Sequence, residues 1–213
     1  MMKRLVILIS GSGSNLQAFI DAIKADALYA EIVCVISNKP DVFGLQRAEK
    51  AGIPTQVLPH QDFASREEYD HALIAEVQKH TPDLVILAGF MRILTPIFVA
   101  PLYGKLMNIH PSLLPKYPGL HTHQRALDTG DSEAGVTVHF VSTELDGGPI
   151  IIQASVPVLS SDNADTIGNR VLEQEHKIYP LAARWFCEGR LRCDESHAWF
   201  DEKVLPLSGR SYP

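Results

Sequence analysis

The chain has 213 residues, of which 46% are hydrophobic and 21% are charged, and its formal net charge is −6. This composition is that of a soluble globular chain, and the acidic balance argues against nucleic acid as a partner. No stretch approaches the roughly 20 apolar residues that span a bilayer. The three cysteines, Cys34, Cys187 and Cys193, form no C-x-x-C pair and indicate a reducing compartment without a disulfide framework or zinc site. We therefore expect a cytoplasmic protein.

The first elements of the chain predict a phosphate-binding turn. The aliphatic run at residues 5–9 indicates a buried strand, and it is too short for the apolar part of a signal peptide, roughly 7–15 residues. The turn Gly11-Ser12-Gly13-Ser14-Asn15 follows, and residues 16–24 then show apolar side chains at helical spacing. In a strand, glycine turn and helix of this kind, backbone N–H groups and the helix dipole can receive a phosphate. A purely geometric connection is the alternative.

The turn departs from the dinucleotide-binding fingerprint at two positions. That fingerprint needs a third glycine where this chain has Leu16. It also needs an acidic residue at the end of the second strand, where the chain has Asn38. Both departures favour a single-phosphate site over a nicotinamide-dependent oxidoreductase.

Two further features of the first half could face a ligand. Arg66 lies in the first turn of a predicted helix, an unfavourable place for a cation, which either a ligand carboxylate or plain solvent exposure would explain. Residues 89–94 follow a predicted strand and could pack in the core or against a flat aromatic ligand. The other predicted elements here are strands at 32–37, 55–58 and 84–88, helices at 44–51 and 66–79, and a short helix from Pro96.

A strand at residues 105–110 carries the most informative pair of side chains. Asn108 and His110 are two residues apart and therefore project from the same face of the strand, which Pro111 should end. An amide donor beside an imidazole can bind a developing oxyanion and move a proton. The alternative is an ordinary core Asn and His bonded to backbone groups.

The second half predicts a hairpin that carries Asp146. Strands at 136–141 and 150–158 flank an Asp-Gly-Gly-Pro turn, which can be a simple connection or can bring the Asp146 carboxylate against His110. His121 and His123 lack a Cys or acidic partner at metal-ligand spacing, so phosphate or loop hydrogen bonds are the better interpretation. A helix at 165–189 should be kinked or divided at Pro180, with Glu175 facing a ligand or solvent. We expect a hairpin near 198–205 and a frayed end.

The alternation of strands and helices predicts an α/β fold with an open, mostly parallel twisted sheet and helices on both faces. In such sheets, ligands bind beyond the carboxyl ends of the strands. The glycine turn, residues 89–94 and the pair Asn108 and His110 all fall at such ends. We therefore expect them to meet in one pocket.

Several motifs resemble those of the phosphoribosylglycinamide formyltransferase family. They are Gly-Ser-Gly-Ser-Asn from residue 11, Ala-Gly-Phe-Met-Arg-Ile-Leu from 88, Asn-Ile-His-Pro-Ser-Leu-Leu-Pro-Lys-Tyr-Pro-Gly from 108 and Glu-Leu-Asp-Gly-Gly-Pro from 144. The likeness runs from about residue 4 to 190. It implies a Rossmann-like formyltransferase fold and transfer of a formyl group from 10-formyltetrahydrofolate to the amine of glycinamide ribonucleotide, without a metal. It also implies a monomer or a weak homodimer.

The resemblance assigns roles to particular residues. It implies one formyltransferase domain over 1–213, with a ribonucleotide-binding half at 1–100, a catalytic and folate-binding half at 101–190 and a tail at 191–213. The catalytic trio is Asn108, His110 and Asp146. The ribonucleotide is expected at Gly13, Ser14, Asn15 and Glu175, and the folate at Arg66, Met91, Arg92, Ile93, Leu94, Asn108, Ser142, Thr143, Glu144, Leu145 and Asp146.

Other functions make different demands on the sequence. Methionyl-tRNA formyltransferase should carry a further C-terminal domain and a basic surface, and formyltetrahydrofolate deformylase an extra N-terminal domain; neither is expected in 213 residues with a net charge of −6. A non-catalytic nucleotide sensor would keep the glycine turn but would not need Asn108, His110 and Asp146 together.

Overall fold

The computed structural model describes residues 1–194 and 196–213. They form two compact units, Met1–Asn108 and Ile109–Pro213. The predicted tail at 191–213 includes Glu195, which lies outside the described residues. Within the described part of the chain, no helix combines the length and apolar character needed to cross a membrane.

The first unit alternates strands with helices. In chain order its elements are β1 (Lys3–Ile9), α1 (Ser14–Lys24), β2 (Ala30–Ser37), α2 (Phe43–Lys50), β3 (Thr55–Val57), α3 (Arg66–Lys79), β4 (Leu84–Leu87) and α4 (Pro96–Val99), and β5 (Leu106–His110) begins in it. Strand β1 pairs in parallel with β2 and β4, β3 extends the sheet beyond β2, and β5 pairs in parallel with β4. The aliphatic side chains of β1 from Leu5 to Ile9 are fully buried, as a central strand requires. Consequently the residues that follow β1, β2 and β4 lie at the same edge of the sheet.

The second unit combines a hairpin, a long helix and short terminal strands. Its elements after β5 are α5 (Thr122–Thr129), β6 (Glu133–Phe140), β7 (Ile150–Pro157), α6 (Ala164–Cys187), β8 (Leu191–Cys193), β9 (Ala198–Phe200), β10 (Lys203–Val204) and β11 (Arg210–Tyr212). Strands β6 and β7 pair antiparallel, β11 lies parallel to β7, and β8, β9 and β10 form a small antiparallel sheet. The segment between β6 and β7 carries Asp146.

The sequence-based predictions hold for the fold class and for the order of elements. The strands are mostly parallel and alternate with helices, as predicted for an open α/β fold. One expectation was wrong, and one of two alternatives is excluded. Helix α6 runs through Pro180 without being divided, from a capping box at Asn163 to Cys187, so only the kink expected as the other outcome stays a prediction. The chain end is not frayed, because Arg210–Tyr212 forms β11 against β7.

Candidate active site

Helix α2 contacts the glycine turn of the first unit through hydrogen bonds and close backbone packing. Gly13 has φ of +71° and precedes α1, so the turn adopts a left-handed conformation that glycine tolerates. The N–H of Gly44 donates to the carbonyl of Gly11 at 3.0 Å, and Arg47 Nε donates to the carbonyl of Ser12 at 2.9 Å. A Cβ on Gly13 would lie 2.6 Å from the Gly44 Cα. The turn is therefore tightly packed, and α2 fixes the direction of its carbonyl groups.

The other predicted ligand residues of the first unit differ in exposure. Arg66 is exposed in the first turn of α3, whereas Asn15 at the start of α1 is buried. Met91 and Ile93 are exposed, Leu94 is half-buried, and the Arg92 guanidinium lies 5.5 Å from the centre of the Tyr69 ring. Apolar side chains that face outward after β4 fit a ligand surface better than a core. Asn108 is half-buried near the end of β5.

In the second unit the structure brings His110 and Asp146 together. Nδ1 of His110 lies 3.4 Å from Oδ2 of Asp146, and both side chains are more than nine-tenths buried. The other ring nitrogen, Nε2, is 2.8 Å from the carbonyl oxygen of Tyr117. A carbonyl oxygen only accepts, so Nε2 carries a proton and Nδ1 is the nitrogen that faces the carboxylate. The expected contact between these two segments is confirmed.

The position of the Asp146 carboxylate is fixed by the conformation of its own backbone and by a backbone hydrogen bond. Its φ is +51°, a conformation that Asp tolerates better than most residues. Oδ2 accepts a hydrogen bond from the N–H of Gly119 at 2.9 Å. Leu145 beside it is exposed, as are Thr143 and Glu144. Ser142 Oγ accepts the N–H of Glu144 at 3.2 Å, which shapes the start of this turn.

The loop that supplies the Tyr117 carbonyl is fastened at several points. The hydroxyl of Tyr117 and the ammonium of Lys116 both donate to the Asp131 carboxylate, at 2.9 and 3.0 Å. Thr137 Oγ1 donates to the carbonyl of Ser112 at 2.6 Å. These bonds fix the backbone that holds His110 Nε2.

Sequence analysis missed a second histidine beside Asp146. His139 on β6 is almost fully buried, and its Nε2 lies 3.9 Å from Oδ1 of Asp146 while Nδ1 donates to the Phe140 carbonyl at 2.8 Å. Burial lowers the pKa of His139, although the Phe140 carbonyl and the Asp146 charge oppose this shift. His139 is therefore neutral at pH 7. The neighbouring residues, Val-Thr-Val-His-Phe, are typical of an ordinary core strand. The sequence therefore gave no indication that this histidine lies at the site.

The remaining predicted residues of the second unit take different positions. His121 is exposed and directly precedes α5 as its N-cap residue, with φ of +58°. His123 is half-buried against α6, where a Cβ on Gly168 would meet its ring at 3.3 Å; burial and the charge of His110 lower the pKa of His123. Glu175 is buried on α6. Among the described residues no group of three or more His, Cys, Asp or Glu is arranged to hold a metal ion.

Comparisons with known proteins agree with the fold and with the motifs. The family model described as formyl transferase matches residues 3–183. The chain is 57% identical to phosphoribosylglycinamide formyltransferase of Escherichia coli K12, over 96% of this chain and 97% of that protein. It is 50% identical to the protein of the same name from Haemophilus influenzae, over 98% of each. The structure of phosphoribosylglycinamide formyltransferase from Coxiella burnetii in complex with CHES superimposes with a TM-score of 0.96, at 46% identity and over 100% of both chains.

Proposed function

The chain belongs to the formyl transferase family, and we propose that it is an enzyme that transfers the formyl group of 10-formyltetrahydrofolate to the amine of glycinamide ribonucleotide, in purine biosynthesis. The relatives with this activity in their names match almost the whole chain. The reaction is proposed for one formyltransferase domain over 1–213, in the cytoplasm. Its partners are the two small molecules, and the expected state of monomer or weak homodimer stays a prediction.

The observation that carries this proposal is the buried contact between His110 Nδ1 and Asp146 Oδ2, at 3.4 Å. An imidazole that faces a carboxylate away from water is typical of catalytic sites and favours an enzyme over a simple binding protein. Burying two such groups costs free energy unless they form an ion pair or supply chemistry. A proton-transfer step explains why both are kept at this position.

The proposed chemistry moves one formyl group and one proton. The amine of the ribonucleotide attacks the formyl carbon, and the carbonyl oxygen becomes an oxyanion to which Asn108 and His110 donate. The carbon–nitrogen bond to the folate then breaks. The attacking nitrogen loses a proton and the leaving folate nitrogen gains one, so the step balances without a metal or a covalent nucleophile.

In this scheme His110 exchanges its proton at Nδ1. Nε2 stays bonded to the Tyr117 carbonyl, which fixes the orientation of the ring. The form of His110 that donates to the oxyanion is the imidazolium, in which Nδ1 also carries a proton, and the Asp146 carboxylate stabilises this form. The Gly119 N–H keeps that carboxylate turned toward the ring.

The substrate-binding roles are proposals that follow from the resemblance. The phosphate is assigned to the backbone of Gly13, Ser14 and Asn15, because this turn leads into the N-terminus of α1, where the helix dipole favours an anion. Glu175 is assigned to the ribose or amine end. The folate is assigned to Arg66, Met91, Arg92, Ile93, Leu94, Asn108, Ser142, Thr143, Glu144, Leu145 and Asp146. The exposed apolar side chains of Met91, Ile93 and Leu145 support this assignment.

The test is to mix the purified protein with 10-formyltetrahydrofolate and follow the release of tetrahydrofolate. We expect release only when glycinamide ribonucleotide is present, and no release with free glycinamide or with an aminoacylated transfer RNA. Release without any acceptor would identify a deformylase. Absence of release under all these conditions would contradict the proposed function.

A further inference from the structure

The segment that follows β4 exposes apolar side chains on a firmly held backbone. We call residues 89–95 the β4 ledge. Met91 and Ile93 on this ledge are 62% and 56% exposed. Single exposed apolar residues are common on protein surfaces. Here, however, the backbone that carries them is hydrogen-bonded to side chains that are almost fully buried. These interior hydrogen bonds therefore fix the position of the two exposed side chains.

The first attachment of the β4 ledge is the hydroxyl of Ser10. The backbone N–H of Met91 donates to Ser10 Oγ at 2.8 Å, and Ser10 Oγ donates to Asn38 Oδ1 at 2.6 Å. Ser10 is 5% exposed and Asn38 is 1% exposed. A hydroxyl has one proton, and its donation to Asn38 leaves an oxygen lone pair for the Met91 N–H. The two bonds therefore set each other's direction.

Asn38 anchors this arrangement on the other side. Its Oδ1 accepts from Ser10, so its Nδ2 faces His60, with Nδ1 of that ring 3.3 Å away. Asn provides an acceptor for Ser10 and an amide that faces the ring. This accounts for Asn38 at a position where a nicotinamide-binding protein would carry an acidic residue. The side-chain amide of Asn38 therefore contacts Ser10 and His60 inside the protein and is not assigned to a ribose.

The second attachment lies at the far end of the β4 ledge. The N–H of Thr95 donates to Asp70 Oδ2 at 2.5 Å, and Asp70, which lies on α3, is 2% exposed. The neighbouring Tyr69 is fully buried under the Arg92 guanidinium. The exposed pair Met91 and Ile93 thus lies between two buried attachments.

We propose that Ser10 is a positioning residue that holds Met91 and Ile93 as an apolar surface against which the ring system of the one-carbon donor packs. This inference rests on the proposed function, since it concerns the donor of that reaction. A binding surface that is already ordered before the ligand arrives lowers the entropic cost of binding. Ser10 touches no ligand in this scheme and acts through the Met91 backbone.

The test compares Ser10→Ala with Ser37→Ala. Ser37 is a matched control, because it is a fully buried serine at the end of the adjacent strand whose hydroxyl donates to the Lys39 carbonyl at 2.7 Å. Ser10→Ala should raise the KM for 10-formyltetrahydrofolate and the Kd for tetrahydrofolate about tenfold, the effect of one buried hydrogen bond. The KM for the ribonucleotide and kcat at saturation should stay within about twofold of wild type. Ser37→Ala should lower Tm but leave both folate constants unchanged.

Amide exchange provides a measurement that does not depend on activity. Exchange of the Met91 amide, followed by NMR, should become faster in Ser10→Ala and remain as in wild type in Ser37→Ala. If Ser10→Ala does not fold, Ser10→Cys takes its place, since it keeps a side chain of similar shape and weakens both hydrogen bonds.

Three results would overturn this role of Ser10. They are an unchanged Kd for tetrahydrofolate in a folded Ser10 variant, an equal rise in Kd in Ser37→Ala, or an unchanged exchange rate at Met91. A wild-type protein that releases no tetrahydrofolate is a different outcome, and it contradicts the proposed function itself.

Discussion

In the first unit the groups proposed to meet ligands are backbone N–H groups and apolar side chains, whereas in the second unit they are titratable side chains buried together. The turn at Gly13 and the β4 ledge are shaped by hydrogen bonds to the backbone, which come from the neutral Ser10 hydroxyl and from the charged side chains of Arg47 and Asp70. In the second unit, by contrast, the Asp146 carboxylate lies 3.4 Å from a ring nitrogen of His110 and 3.9 Å from one of His139. The first region would therefore bind ligands through backbone and apolar groups, whereas the second would act through the charges of its side chains.

The largest expected effect comes from removing the charge of the second unit without changing its shape. Asp146→Asn keeps an acceptor for the Gly119 N–H but removes the negative charge that faces His110. Loss of one preorganised electrostatic group typically lowers turnover about 10²–10³-fold. We expect kcat to fall by about this amount while both KM values stay within about threefold, measured by steady-state kinetics.

A matched control for that variant is Asp128→Asn, since Asp128 is exposed on α5 and accepts from Gln124. It should keep wild-type kcat. A folded Asp146→Asn protein with normal kcat would show that the carboxylate takes no part in the reaction.

The next effect comes from crowding the turn of the first unit. Gly13→Ala would place a methyl group 2.6 Å from the Gly44 Cα and push the turn away from α2. We expect the KM for the ribonucleotide to rise at least about tenfold, the equivalent of about 1.4 kcal/mol, with little change for the folate. Steady-state kinetics with each substrate varied in turn measures both constants.

Gly52→Ala separates crowding from backbone strain. Gly52 has φ of +73°, close to the +71° of Gly13, but a Cβ there would meet nothing within 4 Å. Gly52→Ala should lower Tm and leave both KM values unchanged. Equal KM effects of the two variants, or equal effects of Gly13→Ala on both substrates, would count against a phosphate site at the turn.

A smaller effect concerns stability in acid, which should depend on the second unit. Burial keeps the pKa of His139 in the folded protein below its ordinary value of 6.5. Below pH 6.5 the unfolded chain therefore binds a proton that the folded chain excludes, and the free energy of unfolding falls by up to about 1.4 kcal/mol per pH unit. His139→Gln should lose this part of the pH dependence. Urea unfolding at pH 7.5 and 5.5 measures the difference, and the exposed His71→Gln is the control.

The same slope in His139→Gln and in wild type would show that His139 accepts a proton as readily in the folded protein as in the unfolded chain. The contrast between the two units would then have to rest on His110 and Asp146 alone.

The smallest expected effect is a difference in reactivity between the cysteine thiols of the two units. Burial, with a smaller contribution from the Glu76 charge, raises the pKa of Cys34 on β2 to about 11, whereas Cys187 and Cys193 are half-buried. At pH 8 iodoacetamide should modify the latter two first, because the thiolate is the nucleophile. Mass spectrometry of the intact and digested protein follows the order of labelling. Early labelling of Cys34 would show that the first unit opens readily.

The local signals of the sequence predicted much of the fold. The continuous aliphatic run of β1, the Ser65 cap before α3 and the Asp-Gly-Gly-Pro turn each specify an element through their own neighbours, and each element is present. The prediction failed for β11 because three residues with no strand signal are paired by a strand more than fifty positions earlier. At Pro180 the sequence could not separate a kink from a division, and the structure shows that α6 is not divided.

By itself the sequence determined which residues could supply chemistry and where the strands carrying them end. Asn108 and His110 share a face because of the two-residue period of a strand, and the glycines from Gly11 to Gly13 mark a turn between a strand and a helix. Only the tertiary structure decided that Asp146 faces His110, that His139 lies beside it, and that Ser10 and Asn38 hold Met91. The physical reason is that hydrogen bonds and ion pairs act over a few ångströms between groups that lie far apart in the chain, and strand period and turn chemistry carry no information about such distances.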